Sequence, residues 1–74
     1  MVIWKLAAAD RDRPHGYKYR LYYGNRGHRI VGYDNEKGKG DHRHYRNREE
    51  FYVFTTVDQL IVDFMADVNR EEQQ

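Results

Sequence analysis

Hydrophobic and polar residues alternate in two neighbouring stretches of the chain, residues 17–23 and residues 28–34. Alternation with a period of two, in residue types such as tyrosine and valine, is typical of β-strands. The Gly-Asn-Arg-Gly segment between them tolerates the positive φ angles of a tight turn, so we expect an antiparallel hairpin. Gly32, in the middle of the second strand, predicts a bulge or a close approach of backbone.

Three weaker patterns extend this sheet, and they predict strands over residues 2–6, 41–45 and 51–55. A turn over residues 46–50 precedes the last of them. In that strand Phe51 and Val53 lie on one face, and Tyr52 and Phe54 lie on the other. The predicted sheet therefore has four or five antiparallel strands.

A helical periodicity begins at Val57. The apolar residues that form its stripe are Val57, Leu60, Ile61, Phe64, Met65 and Val68. Thr56 and Gln59 fit a capping box, and residues 70–74 are expected to fray. Three acidic residues are expected to face solvent, or alternatively to fold back on the sheet or meet a partner: Asp58, Asp63 and Asp67. The predicted class is α+β, a small antiparallel sheet with one C-terminal helix packed on one face.

The composition fits one small domain spanning residues 1–74. The chain has no cysteine, which excludes disulfides and thiolate metal sites and fits a reducing cytoplasm. No segment resembles a signal peptide or approaches the roughly 18 apolar residues of a membrane helix. Eleven aromatic residues either fill a compact core or form a face that a partner covers.

The net charge of +1 conceals a split along the chain. Residues 11–48 carry eleven lysines and arginines against four acids, whereas residues 49–74 carry seven acids against one arginine. A basic body indicates a polyanion or an acidic partner, and an acidic tail indicates a solvated helix, a basic partner or shielding within the molecule.

Residues 32–45 concentrate the side chains that can carry chemistry. On a strand, His42 and His44 point to the same side, with Cα atoms roughly 6.6 Å apart, and can bracket one phosphate. One imidazole can take a proton from a ribose 2′-hydroxyl and the other can give one to the leaving oxygen. The candidate cations for the phosphate are Lys37, Lys39 and Arg43, although a regular strand would point Arg43 to the opposite face.

Other residues of this region have supporting roles. Tyr33 and Tyr45 are candidates for stacking on bases, and backbone N–H groups at Gly38 and Gly40 can approach a phosphate. Asp41 would orient a histidine or shape the loop, and Asp34 would do the same from the neighbouring strand. His15 and His28 are expected to be ordinary surface residues. No cofactor is predicted.

Alternative interpretations of the same residues remain open. The histidine pair can be an incidental feature of an exposed edge strand. His42 and His44 can also join Asp34 or Asp41 as a two-histidine, one-carboxylate metal site, although the nearby lysines would repel a cation. The glycines match neither a P-loop nor a dinucleotide-binding motif. Nucleophilic catalysis would depend on Thr55 or Thr56, because the chain has no serine or cysteine.

Several motifs together resemble the TumE family of toxin–antitoxin proteins. They are Gly-Tyr-Asp-Asn-Glu at residues 32–36, Gly-Lys-Gly-Asp-His-Arg-His at 38–44, Glu-Glu at 49–50, Asp-Phe-Met-Ala-Asp-Val at 63–68, and His-Gly-Tyr-Lys-Tyr-Arg at 15–20. The likeness runs from about residue 15 to residue 68. Family members usually carry one or two further strands before the tyrosine-rich one, so the strand over residues 2–6 is expected to be their remnant.

The resemblance implies a bacterial or archaeal toxin that halts growth until a small DNA-binding antitoxin, encoded beside it, binds to it. Many small toxins of this general kind are metal-independent ribonucleases, and by analogy we expect RNA as the substrate. A second hypothesis is a binding module that docks on nucleic acid or protein without turnover. A third is a structural subunit whose tyrosine face forms an oligomer interface, such as a homodimer.

Overall fold

We describe the protein from a computed structural model, which covers residues 1–11, 13–36 and 40–73. The elements are β1 (Val2–Lys5), β2 (Tyr17–Asn25), β3 (His28–Asp34), β4 (His42–Tyr45), β5 (Arg48–Phe51) and α1 (Val57–Glu72). The strands form one sheet in the order β1-β2-β3-β4-β5, and every neighbouring pair is antiparallel. The predicted α+β class, with one C-terminal helix on the sheet, is confirmed.

The last strand lies earlier in the chain than predicted. The turn after β4 takes only Arg46 and Asn47, with Arg46 at a φ of 55°, so β5 begins at Arg48 instead of residue 51. Charged residues form this edge strand because they have partners across it: Glu50 pairs with Arg43, and Glu49 lies opposite His44.

The core lies between the helix and one face of the sheet. Its buried members are Tyr19, Leu21, Val31, Tyr33, Leu60, Phe64 and Val68. Tyr33 makes edge-to-face contacts with Phe64 and with Tyr52, at ring-centroid distances of 5.8 and 5.0 Å. Such contacts add to the stabilisation that burial of aromatic surface provides. Tyr52 and Phe54 pack on this core while Phe51 and Val53 are exposed, which confirms the predicted division of their faces.

Two helix acids face the sheet and not solvent, which overturns the first expectation for Asp63 and Asp67. Asp67 is only 2% exposed and accepts a 2.5 Å hydrogen bond from the Tyr33 hydroxyl. Asp63 accepts one of 2.5 Å from the Tyr52 hydroxyl. Buried tyrosine hydroxyls need acceptors, and carboxylates are strong ones. The buried helix face therefore includes Asp67, whereas Met65 is 40% exposed.

The two helix ends depart from expectation in different ways. At the N-terminus the Thr56 hydroxyl accepts from the Gln59 N–H as predicted, but the Gln59 side chain donates to Asp63 and does not reach back. The helix continues to Glu72, so the expected fraying from residue 70 is wrong for the part described. Glu71 secures the last turn, because it accepts from the Tyr45 hydroxyl and pairs with Arg46.

We expect the stability of this fold to fall in alkaline solution. Burial and the hydrogen bond to Asp67 raise the pKa of Tyr33 above its ordinary value near 10, and burial and Asp63 raise the pKa of Tyr52 in the same way. Above about pH 10 the unfolded chain releases phenolic protons that the folded chain keeps. The free energy of unfolding, measured with urea, should therefore be unaffected by these groups below about pH 10 and should decrease above it.

Tyr33→Phe is the matched control for this prediction. At neutral pH it should cost about 1–3 kcal/mol, because the buried Asp67 carboxylate loses its hydroxyl donor. The stability difference between the two proteins should shrink above about pH 10, because phenylalanine has no proton to lose on unfolding. A difference that stays constant across this pH range would contradict the assignment.

Candidate functional site

The sheet face opposite the helix, here called the open face, collects the candidate residues in two cross-strand rows. The rows follow from the strand register and are Tyr22, Gly32, His44 and Glu49, and beside them Arg20, Asp34, His42 and Phe51. Neighbouring strands lie about 4.8 Å apart, so residues of adjacent strands in one row are in contact range. Long-range pairing thus brings together residues from four strands.

His42 and His44 lie on this open face together, as the strand period predicts. Their side chains are 12% and 14% exposed, so each ring is held by neighbours and keeps an edge open to solvent. Nδ1 of His42 lies 3.0 Å from the carbonyl oxygen of Gly40. Because a carbonyl only accepts, the His42 proton resides on Nδ1, and Nε2 is the atom directed at the site.

Glu49 joins the two histidines and was missed from the sequence. Its Oε1 lies 3.7 Å from Nε2 of His42, and its Oε2 lies 3.5 Å from Nδ1 of His44. One carboxylate therefore serves both imidazoles. The signal was hidden because the turn was placed over residues 46–50. A two-residue turn after Tyr45 would have put Glu49 opposite His44.

Arg29 is a positively charged residue in contact with this histidine pair. Its guanidinium donates to Nδ1 of His44 at 3.2 Å. The side chain reaches that position by lying across Gly32, where an added Cβ would stand 3.0 Å from Cδ of Arg29. A side chain approaches Gly32 closely, whereas the sequence predicted a bulge or a close approach of backbone there. The register irregularity falls at residues 23 and 24 instead.

A shallow depression of about 250 Å³ forms around these groups. It is lined by Arg29, Asp34, Glu36, His42, His44 and Glu49. Lys37 and Lys39, the other predicted phosphate ligands, lie outside the described residues. Within the ranges that the structure covers, no three histidines or carboxylates come close enough to hold a metal ion. The two-histidine, one-carboxylate alternative therefore lacks its ligand set here.

Arg43 lies on the helix side of the sheet, away from the histidines. It pairs with Glu50 and lies 3.8 Å from Asp67. Its hydrogen bond to Glu50 lowers the pKa of that carboxyl. The expectation that Arg43 holds a phosphate beside His42 and His44 is therefore corrected: its guanidinium stabilises the packing of helix on sheet.

Tyr33 and Tyr45 also face the helix. Tyr33 is fully buried, which contradicts a role in stacking on bases, since no face of its ring is accessible. The hydroxyl of Tyr45 donates to Glu71 of the helix. Asp34, in contrast, lies on the open face directly opposite His42 in the register.

Asp41 also points away from His42 and His44, which corrects its predicted catalytic place. Its carboxylate accepts from the Tyr19 hydroxyl at 2.6 Å and from Nε2 of His15 at 3.1 Å. Nδ1 of His15 accepts from the backbone N–H of Tyr17, so the His15 proton lies on Nε2. Asp41 therefore orients a histidine, but a different one from those expected.

His15 is a structural residue and not the ordinary surface residue that the sequence predicted. Its ring stacks on Phe54 with 3.9 Å between centroids. Together with Asp41 and the buried Tyr19 it ties the segment before β4 to β2 and to the residues that precede the helix. In the sequence, this role of His15 was signalled only by the His-Gly-Tyr run. In the structure, Gly16 of that run has a φ of 81°.

The family model of toxin TumE matches residues 1–72, which include every strand and the helix. The chain belongs to the TumE toxin family, and it has the role of a toxin paired with an antitoxin. No curated protein and no solved structure matched significantly. Across the described ranges, no helix has the length and apolar character needed to span a membrane.

The contacts of Asp41 indicate a structural role, and mutation can distinguish this role from a catalytic one. Asp41→Ala should lower the free energy of unfolding by about 1–3 kcal/mol, because the buried Tyr19 hydroxyl loses its acceptor. Asp41→Asn keeps an acceptor oxygen and should cost less. Urea unfolding measures both, and expression in cells measures growth arrest. A folded Asp41→Asn variant that no longer arrests growth would show that the carboxylate acts in the reaction after all.

Proposed function

We propose that this toxin cleaves RNA as a metal-independent endoribonuclease, with His42 and His44 as its acid–base pair. One observation carries the proposal: two imidazoles on one sheet face share the Glu49 carboxylate, and one of them also contacts the Arg29 guanidinium. Imidazole exchanges protons near neutral pH, and guanidinium suits phosphate. These are the groups that transesterification of a phosphodiester needs.

His42 is the general base in this proposal. Its Nδ1 proton is engaged by the Gly40 carbonyl, so Nε2 carries the lone pair of the neutral ring. Nε2 takes the proton of the ribose 2′-hydroxyl while the 2′-oxygen forms its bond to phosphorus. The carbonyl fixes the ring orientation, and Asp34 lies opposite it on β3.

His44 is the general acid. In the free protein its Nδ1 accepts from Arg29. When a substrate phosphate engages Arg29, Nδ1 takes a proton from solvent water and donates to Oε2 of Glu49, which lies 3.5 Å away. The imidazolium then gives its Nε2 proton to the 5′-oxygen as the phosphorus–oxygen bond breaks. The products are a 2′,3′-cyclic phosphate and a 5′-hydroxyl.

Arg29 replaces Arg43 as the cation that stabilises the pentavalent phosphorus. The sequence places Lys37 and Lys39 shortly before His42, and they remain proposed phosphate ligands. The proposal further includes a small DNA-binding antitoxin and a cytoplasmic site of action, and a homodimer as an alternative assembly.

A binding module without turnover is the second candidate function. The observation that favours it lies where β1 and β2 form the open face. There Nζ of Lys18 lies 5.5 Å from the centroid of the Trp4 ring, and Tyr22 is half exposed. Cations interleaved with aromatic rings can bind single-stranded nucleic acid with no catalytic group.

Cleavage of RNA by the purified protein tests the proposal. In the presence of a chelator, the parent should produce fragments with 2′,3′-cyclic phosphate ends. His42→Ala and His44→Ala should each slow cleavage by roughly 10²- to 10⁴-fold, because each removes one proton transfer. The double variant should cleave RNA only a little more slowly than the less active of the two single variants, because the two groups act together.

His28→Ala is the matched control, because His28 is exposed at the hairpin end, away from the site. It should cleave as the parent does. RNA that is bound but stays intact with the parent protein would reject the enzyme and favour the binding module. Equal cleavage by the parent and the double histidine variant would remove the assigned acid–base pair.

A further inference from the structure

A second depression of about 440 Å³ adjoins the histidine site on the open face. The residues of its lining that matter here are Arg20, Tyr22, Arg29, Gly32 and Asp34. Arg29 and Asp34 line both depressions, so the two lie side by side. A ligand held at the histidines therefore extends naturally into this second space.

Side chains lie close against two glycines, Gly32 in the lining of this depression and Gly24 further along β2. The Arg29 side chain crosses Gly32, and the Tyr22 ring lies against Gly24, where an added Cβ would stand 2.9 Å from Cζ of the tyrosine. Half of Tyr22 is exposed, so the ring offers a flat aromatic surface to solvent. A planar ring fixed along a sheet is the usual platform on which a nucleic-acid base stacks.

Three arginines line this depression; Arg46 is paired with Glu71, whereas Arg20 and Arg29 are available to an anion. Arg20 has no ion pair with any residue in the described ranges and lies across from Asp34 in the register. Within the ranges that the structure covers, the Arg29 side chain makes one hydrogen bond, and its acceptor is Nδ1 of His44, which carries no negative charge. The exposed aromatic group beside them belongs to Tyr22, and Leu21 is buried beneath, so the depression lacks the cluster of apolar anchors typical of a protein interface.

We propose that this depression is a nucleotide subsite for single-stranded RNA, in which Tyr22 stacks on a base and Arg20 binds a backbone phosphate. The inference rests on the proposed function and adds its substrate class. Tyr22 and His44 stand in one row, two strands apart, which is about 10 Å. A base on Tyr22 therefore belongs to a nucleotide next to the phosphate held at the histidines.

Binding of a fluorescent single-stranded 2′-O-methyl oligonucleotide tests this subsite. The probe lacks the attacking hydroxyl, so the measurement does not depend on turnover. Tyr22→Leu should weaken binding about tenfold, whereas Tyr22→Phe, which keeps the ring, should bind within about twofold of the parent. Arg20→Ala should weaken binding and make the salt dependence shallower by about 0.7 in the slope of log K against log salt.

Arg48→Ala is the matched control, since it removes the same charge from the exposed edge strand. It should bind within about twofold of the parent. Thermal unfolding of each variant checks that the fold is kept, which is expected because Tyr22 and Arg20 lie outside the core.

Three results would overturn the subsite. No binding by the parent at low salt rejects RNA as its ligand, and Tyr22→Leu that binds like the parent rejects stacking. Equal losses for Arg20→Ala and Arg48→Ala would reduce the effect to general charge. If the subsite variants behave as expected but unmodified RNA stays intact, the subsite stands and the ribonuclease proposal fails.

Discussion

The pairing of tyrosine hydroxyls with aspartate carboxylates is the constraint on which this structure depends. Tyr33 donates to Asp67 and Tyr52 donates to Asp63, which fixes the helix on one face of the sheet. A tyrosine can fill the core of so small a protein only if its polar end finds an acceptor. Because the described helix packs on that face, the opposite face is not covered by any described helix.

Side chains alternate between the two faces of β4. Residues that stabilise the fold and the candidate catalytic residues therefore follow one another within a few positions. Asp41 and Arg43 point towards the helix side, where they meet Tyr19 and Glu50. His42 and His44 point the other way. The described part of the charged run over residues 32–45 therefore contains two sets of residues, one on each face of the sheet. His42 and His44 meet Arg29 and Glu49, whereas Asp41 and Arg43 stabilise the fold.

Local geometry could be predicted from the sequence, and partners distant in the chain could not. The period of two was sufficient to put His42 and His44 on one face and to warn that Arg43 lies on the other. The same alternation puts Tyr33 on the face of Val31, which indicates the core and not a base-stacking role. Glu49 escaped prediction because Arg48–Phe51 has the composition of a loop and becomes a strand only through its cross-strand partners.

Arg29 illustrates a different limit. It is fifteen residues from His44 in the chain and reaches it only because Gly32 has no side chain. Nothing in its own neighbourhood, at the start of a strand beside a turn, marks it as part of a site. The helix acids were undecided for a related reason: the sequence shows an amphipathic helix, but not that Tyr33 of β3 and Tyr52 after β5 would supply donors for two of its carboxylates.

We propose that the toxin meets its ligand on the open face around His42 and His44. NMR spectroscopy of the four histidine rings during titration with a single-stranded 2′-O-methyl oligonucleotide tests it most directly. We expect the ring resonances of His42 and His44 to shift together, with one midpoint, while those of His15 and His28 stay in place. Shifts confined to His15, or no shift at His42 and His44 when the strand binds, would contradict it.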